Sequence, residues 1–593
     1  MVKAYPTKTR GSAARMLALL CGAALSACGG DPAPTAPPAT VLASEALGAH
    51  SAEFRKDIVE VVPGIHVAIG YALANVILIE GDDGVIIVDT TESLAAAREI
   101  KAEFDRLTDK PVAAIIYTHN HTDHIFGAAA FAEGREVPVY AHATTWSHIE
   151  RVMNVLRPVI ETRSFRMFGN YLAAGGEAIV NDGIGPALAH TPGVDTDLFG
   201  LLQPTHTFHD RLEVTIAGRR LVLLHAPGET DDQILVWLPD EKVLLPGDNV
   251  YKAFPNLYTI RGTRYRDVMQ WAASVRAMRD LGAEHLVPSH TRPVSGAEAV
   301  DDILEAYSDA IQYVHDQTVR GINKGLDALT LAASIELPPE LATHPWLQPF
   351  YGTVPWSVRA IYSGYLGWYD GNSSNLFPTP AATRASRLLD LAGGGDAVLT
   401  EAEARLAQDP QWAAELADLV LEANTGSVQV ATGLKARALR TLASQTPNPN
   451  ARNWYLTEAL ELEGRITIKP SPLTAERVEF ARDFPIAGVL HAMAVSLDPS
   501  RSAGVDQRVV FVFPDQGAQY AIHVRNRIAA VAPLTAVPDD GSLTVTVNAG
   551  DWLDLVSGQR GFPLALADGT LQVAGGLADK GALLRFLALF RQD

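Results

Sequence analysis

The sequence predicts an α/β protein in three successive parts: a mixed sheet-and-helix body, an all-helical region and an α+β end. Three observations carry this. From about Phe54 to Glu298, short apolar strand-like runs alternate with polar loops and amphipathic helices. From about Asp301 to Leu462 the apolar spacing turns helical, with Pro and Gly punctuation. From about Thr467 onward β-type runs return. The length of 593 residues suggests about three to five domains, at roughly 100–200 residues each. An apolar share of 47% excludes a wholly disordered chain, and a formal net charge of −20 excludes a basic face that grips nucleic acid. Both cysteines, Cys21 and Cys28, lie near the start, so a disulfide scaffold, a Cys nucleophile and an iron–sulfur cluster are excluded from the body.

The first residues read as an address. Lys3, Lys8, Arg10 and Arg15 precede an apolar run, Met16 to Leu25, that is too short to span a bilayer. The end of the run, Leu25-Ser26-Ala27-Cys28, resembles the lipobox of bacterial lipoproteins. That resemblance implies an export signal over residues 1–28 and lipidation of Cys28, against the alternative of an ordinary signal peptide. Each buried CH₂ of an acyl chain adds about 0.8 kcal/mol of membrane affinity, so several chains anchor firmly. A Pro/Ala-rich tether over residues 29–45 follows. The expected location is an exported, periplasm-facing lipoprotein held in the membrane by its lipid alone. Gly29 is not an inner-membrane retention aspartate, which favours the outer membrane by analogy.

In the body, Val76 to Ile79 stops at Gly81-Asp82-Asp83-Gly84, and Val85 to Val88 then ends in Asp89: two buried strands around a turn. Ser93 to Leu107 reads as an amphipathic helix and Val112 to Tyr117 as another buried strand. Further on, Ala413 to Leu421 and Ala436 to Leu442 suggest paired helices. Val509 to Phe513, Gln519 to Val524 and Leu543 to Val547 suggest sheet strands, and Ala582 to Phe590 a closing helix. The expected divisions are 46–300, 301–462 and 463–593.

The chemistry begins after the strand at Val112. Thr118-His119-Asn120-His121-Thr122-Asp123-His124 places three histidines and an aspartate within six residues at a strand end. Imidazole nitrogen and carboxylate oxygen suit Zn²⁺ without any thiolate. Four donors crowd a single ion, so His119 and His121 can face one metal while Asp123 and His124 face a second.

This segment resembles the T-H-x-H-x-D-H signature of the metallo-β-lactamase superfamily, which implies an αββα sandwich with metals at the strand ends. Where members carry Pro-Gly-His-Thr, this chain has Pro227-Gly228-Glu229-Thr230. Val243 to Asp248 and Leu286 to His290 read as strands ending in an acid and a histidine that resemble the superfamily's bridging acid and last ligand. The resemblance therefore implies His119, His121 and Glu229 around one Zn²⁺, with Asp123, His124 and His290 around a second. Asp248 lies between them, and Asp248 and Asp123 stand at the catalytic centre, where a bridging hydroxide of lowered pKa is expected. His225 is a candidate supporting group; His142, His148, His190, His206 and His209 are expected to be structural or exposed.

The glutamate in place of histidine points to one branch, the zinc-dependent alkyl sulfatases. Asn256-Leu257-Tyr258-Thr259-Ile260-Arg261-Gly262, Tyr313 to Thr318, Asn323-Lys324-Gly325, Phe350 to Thr353, Gly364 to Asn372 and Asn453 to Leu456 resemble that family over roughly residues 50–470. The resemblance implies hydrolysis of amphiphilic alkyl sulfates, a helical dimerisation domain, hence a homodimer, and a sterol-carrier-like C-terminal domain. Arg261 offers a planar fork for sulfate oxygens and Asn256 an amide donor; Arg264 and Arg266 are weaker candidates. Phe350, Tyr351, Trp356, Tyr365 and Trp368 are candidates for an alkyl channel, and Tyr365 or Tyr369 for a proton donor. The chain departs from the family pattern at Thr230 to Gln233, at Asp248 in place of glutamate, and at Trp356-Ser357 in place of His-Asn.

Two other functions stay open on sequence: the same metals acting on a phosphoester, lactone or β-lactam, and a noncatalytic lipid-binding lipoprotein. So do the bond that breaks, S–O or C–O, and the C-terminal part's role as an apolar tunnel or a structural cap.

Overall fold

A computed structural model describes residues 44–172, 179–187, 199–471, 478–479, 481–482 and 484–590. The expected export signal, Cys28, the tether up to residue 43 and His190 lie outside the described residues. No described helix is long and apolar enough to cross a membrane.

Two sheets stack in the first part. One runs in spatial order β1 (Asp57–Val62), β2 (Ile65–Ile69), β3 (Val76–Glu80), β4 (Val85–Val88), β5 (Val112–Ile116), β6 (Val139–His142) and β7 (His206–Phe208). β1 to β4 pair antiparallel and β4 to β7 parallel. The other sheet has the order β13 (Val294–Ser295), β12 (His285–Leu286), β11 (Val243–Leu245), β10 (Ile234–Leu238), β9 (Arg219–His225) and β8 (Arg211–Ile216). The period of two along a strand explains the layers. Ile86 and Val88 of β4 face the second sheet, where they meet Leu223, Ile234 and Val236. Val85 and Ile87 face the opposite way, onto Ala97, Ile100 and Phe104 of the helix Leu94–Phe104. That helix begins later than the periodicity suggests because Ser93 caps it, its hydroxyl accepting from Ala96 N–H. On the far side, Leu235, Trp237 and Leu244 pack under the helices Val268–Arg279 and Ala297–Ile322. The result is the αββα sandwich. The expected division at residue 300 falls inside the helix Ala297–Ile322, whose apolar face belongs to the second sheet's core.

The middle of the chain is helical. Pro410–Ala423 and Val428–Gln445 pack through Ala413, Ala417, Val420, Leu434 and Ala438, and Pro449–Leu462 adds a third helix. Small residues at the contacts allow close axes. The last part holds a sheet ordered β16 (Ile528–Pro533), β15 (Ala518–Arg525), β14 (Gln507–Phe513), β17 (Leu543–Thr546) and β18 (Gln572–Val573), with helices Ala549–Val556 and Leu577–Leu587. Phe511, Phe513, Trp552 and Phe586 are fully buried together in the core of this part.

Candidate metal centre and substrate cavity

The strand ends converge where the sequence puts its donors. His119 and His121 follow β5, and Asp123 and His124 sit on the short helix Thr122–Ile125. Asp248 follows β11 and His290 follows β12. Two groups form, each with ligand atoms within 4.8 Å of one another: His119, His121 and Asp248, and Asp123, His124 and His290. Asp248 reaches both. Its carboxylate is 3.7 Å from His119 Nε2, 3.4 Å from His124 Nε2 and 3.2 Å from His290 Nε2.

The electrostatics suit cations. Burial, with His124 beside it, pushes His119 down to about 4. Burial, with His119 and Arg261 adjacent, holds His121 well below its ordinary value. Burial opposes charge on His124, but Asp248, Asp89 and Asp123 raise it well above the usual range. Burial works against the charge of Asp123, yet His124 and His290 bring it down to about 2. His119 Nε2, His124 Nε2 and Asp248 Oδ1 are buried without a hydrogen-bond partner. Orphaned polar atoms of this kind are costly unless something binds them. Mixed imidazole and carboxylate donors in two groups fit a pair of divalent ions.

The supporting contacts fix the histidine faces. Asp89, fully buried at the end of β4, accepts from His124 Nδ1 at 2.7 Å, from Thr118 N–H and Oγ1–H at 2.9 Å each, and from Ser289 Oγ–H at 2.9 Å. His290 Nδ1 meets the carbonyls of Leu73 and Ile184 at 2.9 and 3.0 Å. Both histidines thereby turn Nε2 toward the site. Sequence reasoning missed this role of Asp89; an acid ending a fully apolar strand was the available signal.

Glu229 belongs to neither group. It is 2% exposed, and its carboxylate meets Arg266 at 3.0 Å and accepts from Tyr251 Oη–H at 3.3 Å. Burial raises it to about 7 against the pull of Arg266. Arg266 is thus buried with its Nη1 against Glu229 and the Asn256 carbonyl, while its Nε and Nη2 have no hydrogen-bond partner and the residue lines the cavity. Arg264 is exposed and pairs with Asp231 at 3.4 Å. Arg261 lies at the site, its guanidinium 3.2 Å from His121 Nε2. Asn256 is buried, and neither amide atom has a hydrogen-bond partner.

A cavity of about 620 Å³ opens over the centre. Arg261, His121, Asp123 and Asp248 lie on its wall, together with Ile125, Phe126, Ile149, Ile160, Phe168 and Phe199. Of the aromatics expected to form an alkyl channel, Tyr351 alone lines it. Phe350 stacks on His50 at 4.0 Å, Trp368 is 74% exposed, and Tyr365 Oη is bonded to His315 Nε2 at 2.7 Å. The wall instead comes from the helices Thr145–Asn154 and Arg157–Met167, whose apolar residues were spaced too irregularly to stand out. His148 also lines the cavity and is half-buried. His225 stacks on His142 at 4.1 Å and its Nε2 is 2.8 Å from the Asp231 carbonyl.

An αββα sandwich with two His/Asp donor groups at its strand ends defines a member of the metallo-β-lactamase superfamily, whose family match covers residues 70–290. Residues 329–465 match the alkyl sulfatase dimerisation family and residues 475–593 the alkyl sulfatase C-terminal family. A linear primary-alkylsulfatase from a Pseudomonas strain is 38% identical over 85% of this chain and 96% of its own length. An (R)-specific secondary-alkylsulfatase from Pseudomonas is 29% identical over 87% and 78%. The solved structure of the stereoselective inverting sec-alkylsulfatase Pisa1 from Pseudomonas superposes with a TM-score of 0.85 at 26% identity, covering 93% of this chain and 87% of that one. The chain belongs to the alkyl sulfatase family and is a sulfuric ester hydrolase by that membership. This sets aside the noncatalytic lipid-binding alternative.

Proposed function

We propose that this chain hydrolyses linear alkyl sulfate esters to an alcohol and inorganic sulfate at a dizinc centre. The observation that carries the reading is the junction of two donor groups at Asp248, on the wall of an apolar cavity that also holds Arg261. His119 and His121 would hold one ion, Asp123, His124 and His290 the other, and Asp248 would reach both; Glu229, which the resemblance implies for the first ion, would have to turn from Arg266 and Tyr251 to join it. Imidazole and carboxylate donors favour zinc. When bound, such ions supply Lewis-acid charge and acidify water. Arg261 presents two N–H donors in a plane, which match two sulfate oxygens. Ile125, Phe126, Ile149 and Phe199 take the alkyl chain and exclude water beside the ester. Asp248 and Asp123 keep negative charge at the centre, so the sulfate enters beside Arg261.

The helical region is proposed as a homodimer interface. Its family match and the exposed run Leu366, Trp368, Leu376 and Phe377 support this. The export signal, Cys28 lipidation and outer-membrane anchoring complete the proposal and rest on the sequence, as do the divisions at 46–300, 301–462 and 463–593, the first boundary of which lies within the helix Ala297–Ile322.

The test is coupled. The chain from Gly29 is analysed for metal and assayed for sulfate release from a linear alkyl sulfate in H₂¹⁸O, with the phosphate analogue in parallel. Two zincs and sulfate release are expected. ¹⁸O in sulfate means S–O cleavage and ¹⁸O in the alcohol means C–O cleavage. Two metals with turnover of the phosphate ester alone would overturn the substrate assignment.

A further inference from the structure

The proposed sulfate arginine stands on a short turn, and that turn is docked on the cavity-wall helix Arg157–Met167 at three points. Gly262 N–H donates to the Thr259 carbonyl at 3.0 Å, closing a four-residue turn with Arg261 inside it. The first point is Thr259, whose Oγ1–H donates to Met167 Sδ at 3.3 Å. The second is the Ile260 carbonyl, which accepts from both Nε and Nη2 of Arg163, at 3.1 and 2.6 Å. The third is Gly262, with φ +107°, where an added Cβ would sit 3.3 Å from Ile160 Cδ1. That backbone conformation strains any residue with a side chain.

The helix is in turn held by Pro449–Leu462 of the helical region. Arg163 lies 5.5 Å from the centroid of the Trp454 ring, within cation–π range. Arg166 makes a two-pronged pair with Glu461 at 2.8 and 2.7 Å, and Asn453 Nδ2–H donates to the Met167 carbonyl at 3.4 Å.

We propose that Arg163 is a positioning residue for sulfate recognition: its guanidinium grips the Ile260 carbonyl, sets the aim of Arg261, and is itself braced by Trp454. This rests on the reading of Arg261 as the sulfate contact. The geometry favours it over simple surface pairing, because both donors go to one peptide oxygen next to Arg261. A fork on a single carbonyl fixes the position and tilt of that peptide plane. Losing it frees the backbone on which the Arg261 side chain is mounted. The arrangement also gives the helical region a part in the active site besides assembly.

The experiment uses the metal-loaded full chain from Gly29 and the variants Arg163→Met, Arg163→Lys, Gly262→Ala and Trp454→Leu. Amide hydrogen exchange over residues 256–264 is read without substrate, and the inhibition constant of inorganic sulfate is read with metal content as control. Arg163→Met should speed exchange within the turn and raise both the sulfate inhibition constant and KM by roughly tenfold, the usual weight of a charge-assisted hydrogen bond. Arg163→Lys keeps a cation and a donor but loses the planar fork, so it should recover only part of that loss. Trp454→Leu and Gly262→Ala should move the same readouts in the same direction. Unchanged exchange in the turn, or exchange that rises across the whole sandwich, would overturn the proposal. So would a wild-type sulfate inhibition constant in Arg163→Met. Failure of the alkyl sulfatase reading would show separately, as wild-type protein that releases no sulfate while the exchange result still reports on the clamp.

Discussion

Replacing Asp89 by asparagine should weaken one metal group more than the other. Asp89 belongs to neither donor group itself, but its two oxygens accept four hydrogen bonds. Oδ1 takes Thr118 N–H, while Oδ2 takes His124 Nδ1, Thr118 Oγ1–H and Ser289 Oγ–H. An asparagine has one accepting oxygen. Whichever way the amide turns, its NH₂ faces a group that needs an acceptor, and the negative charge behind the His124 ring is gone. A hydrogen bond to a charged group is worth about 1.5–3 kcal/mol. Part of the four-bond set survives, so the net cost at His124 should be about 1.4–2.7 kcal/mol, or roughly 10–100-fold in affinity. The loss should fall mainly on the ion held by Asp123, His124 and His290, because His124 donates to Asp89 directly, whereas His119 reaches it only through the Thr118 hydroxyl, 3.0 Å from His119 Nδ1. Competition against a chelator of known affinity, with elemental analysis at each point, resolves two binding steps. Asp89→Asn should show one step weakened much more than the other. Two wild-type steps, or two equally weakened ones, would refute the argument that Asp89 acts through His124.

Two further outcomes test the helical region. Lys435 bridges Asp418 at 2.8 Å and Glu458 at 2.5 Å, tying three helices together. Burial opposes its charge, but the two carboxylates raise its pKa above the ordinary 10.5. A raised lysine stabilises the fold below the unfolded value, and that stability fades as pH climbs through the folded value. Lys435→Met should therefore cost about 0.5–1 kcal/mol in urea unfolding at pH 8, Asp418 being half exposed, and the gap should close above pH 10.5; a gap that widens with pH would contradict the assignment. Separately, Phe377 is 95% exposed and Trp368 74%. Phe377→Ser with Trp368→Ser should shift the protein from dimer to monomer in sedimentation, whereas a dimer of wild-type stability would place the interface elsewhere.

Much of the centre was legible because its donors are bound to local backbone geometry. His119, His121, Asp123 and His124 share one loop after a strand, so the chain itself brings them together. Asp248 and His290 each end an apolar strand, and parallel pairing of β11 with β12 puts those ends side by side. The strand–turn–strand at Val76 to Val88 and the helix after Ser93 follow from periodicity and capping in the same way. The cavity wall was less legible. Phe350 and Trp368 are apolar, but hydrophobicity says only that a residue prefers burial, not which surface will bury it.

The sequence by itself determined the metal-binding loop, the order of sheet and helix, and the family, because each is a pattern of residues close along the chain. Tertiary structure alone decided the pairings across distance. Arg266 pairs with Glu229, Asp89 stands behind His124, and Arg163 grips the peptide before Arg261. In each case a buried charge or a bare carbonyl had to find a partner once water was removed. The partner that won was the one the packed helices and sheets brought within reach.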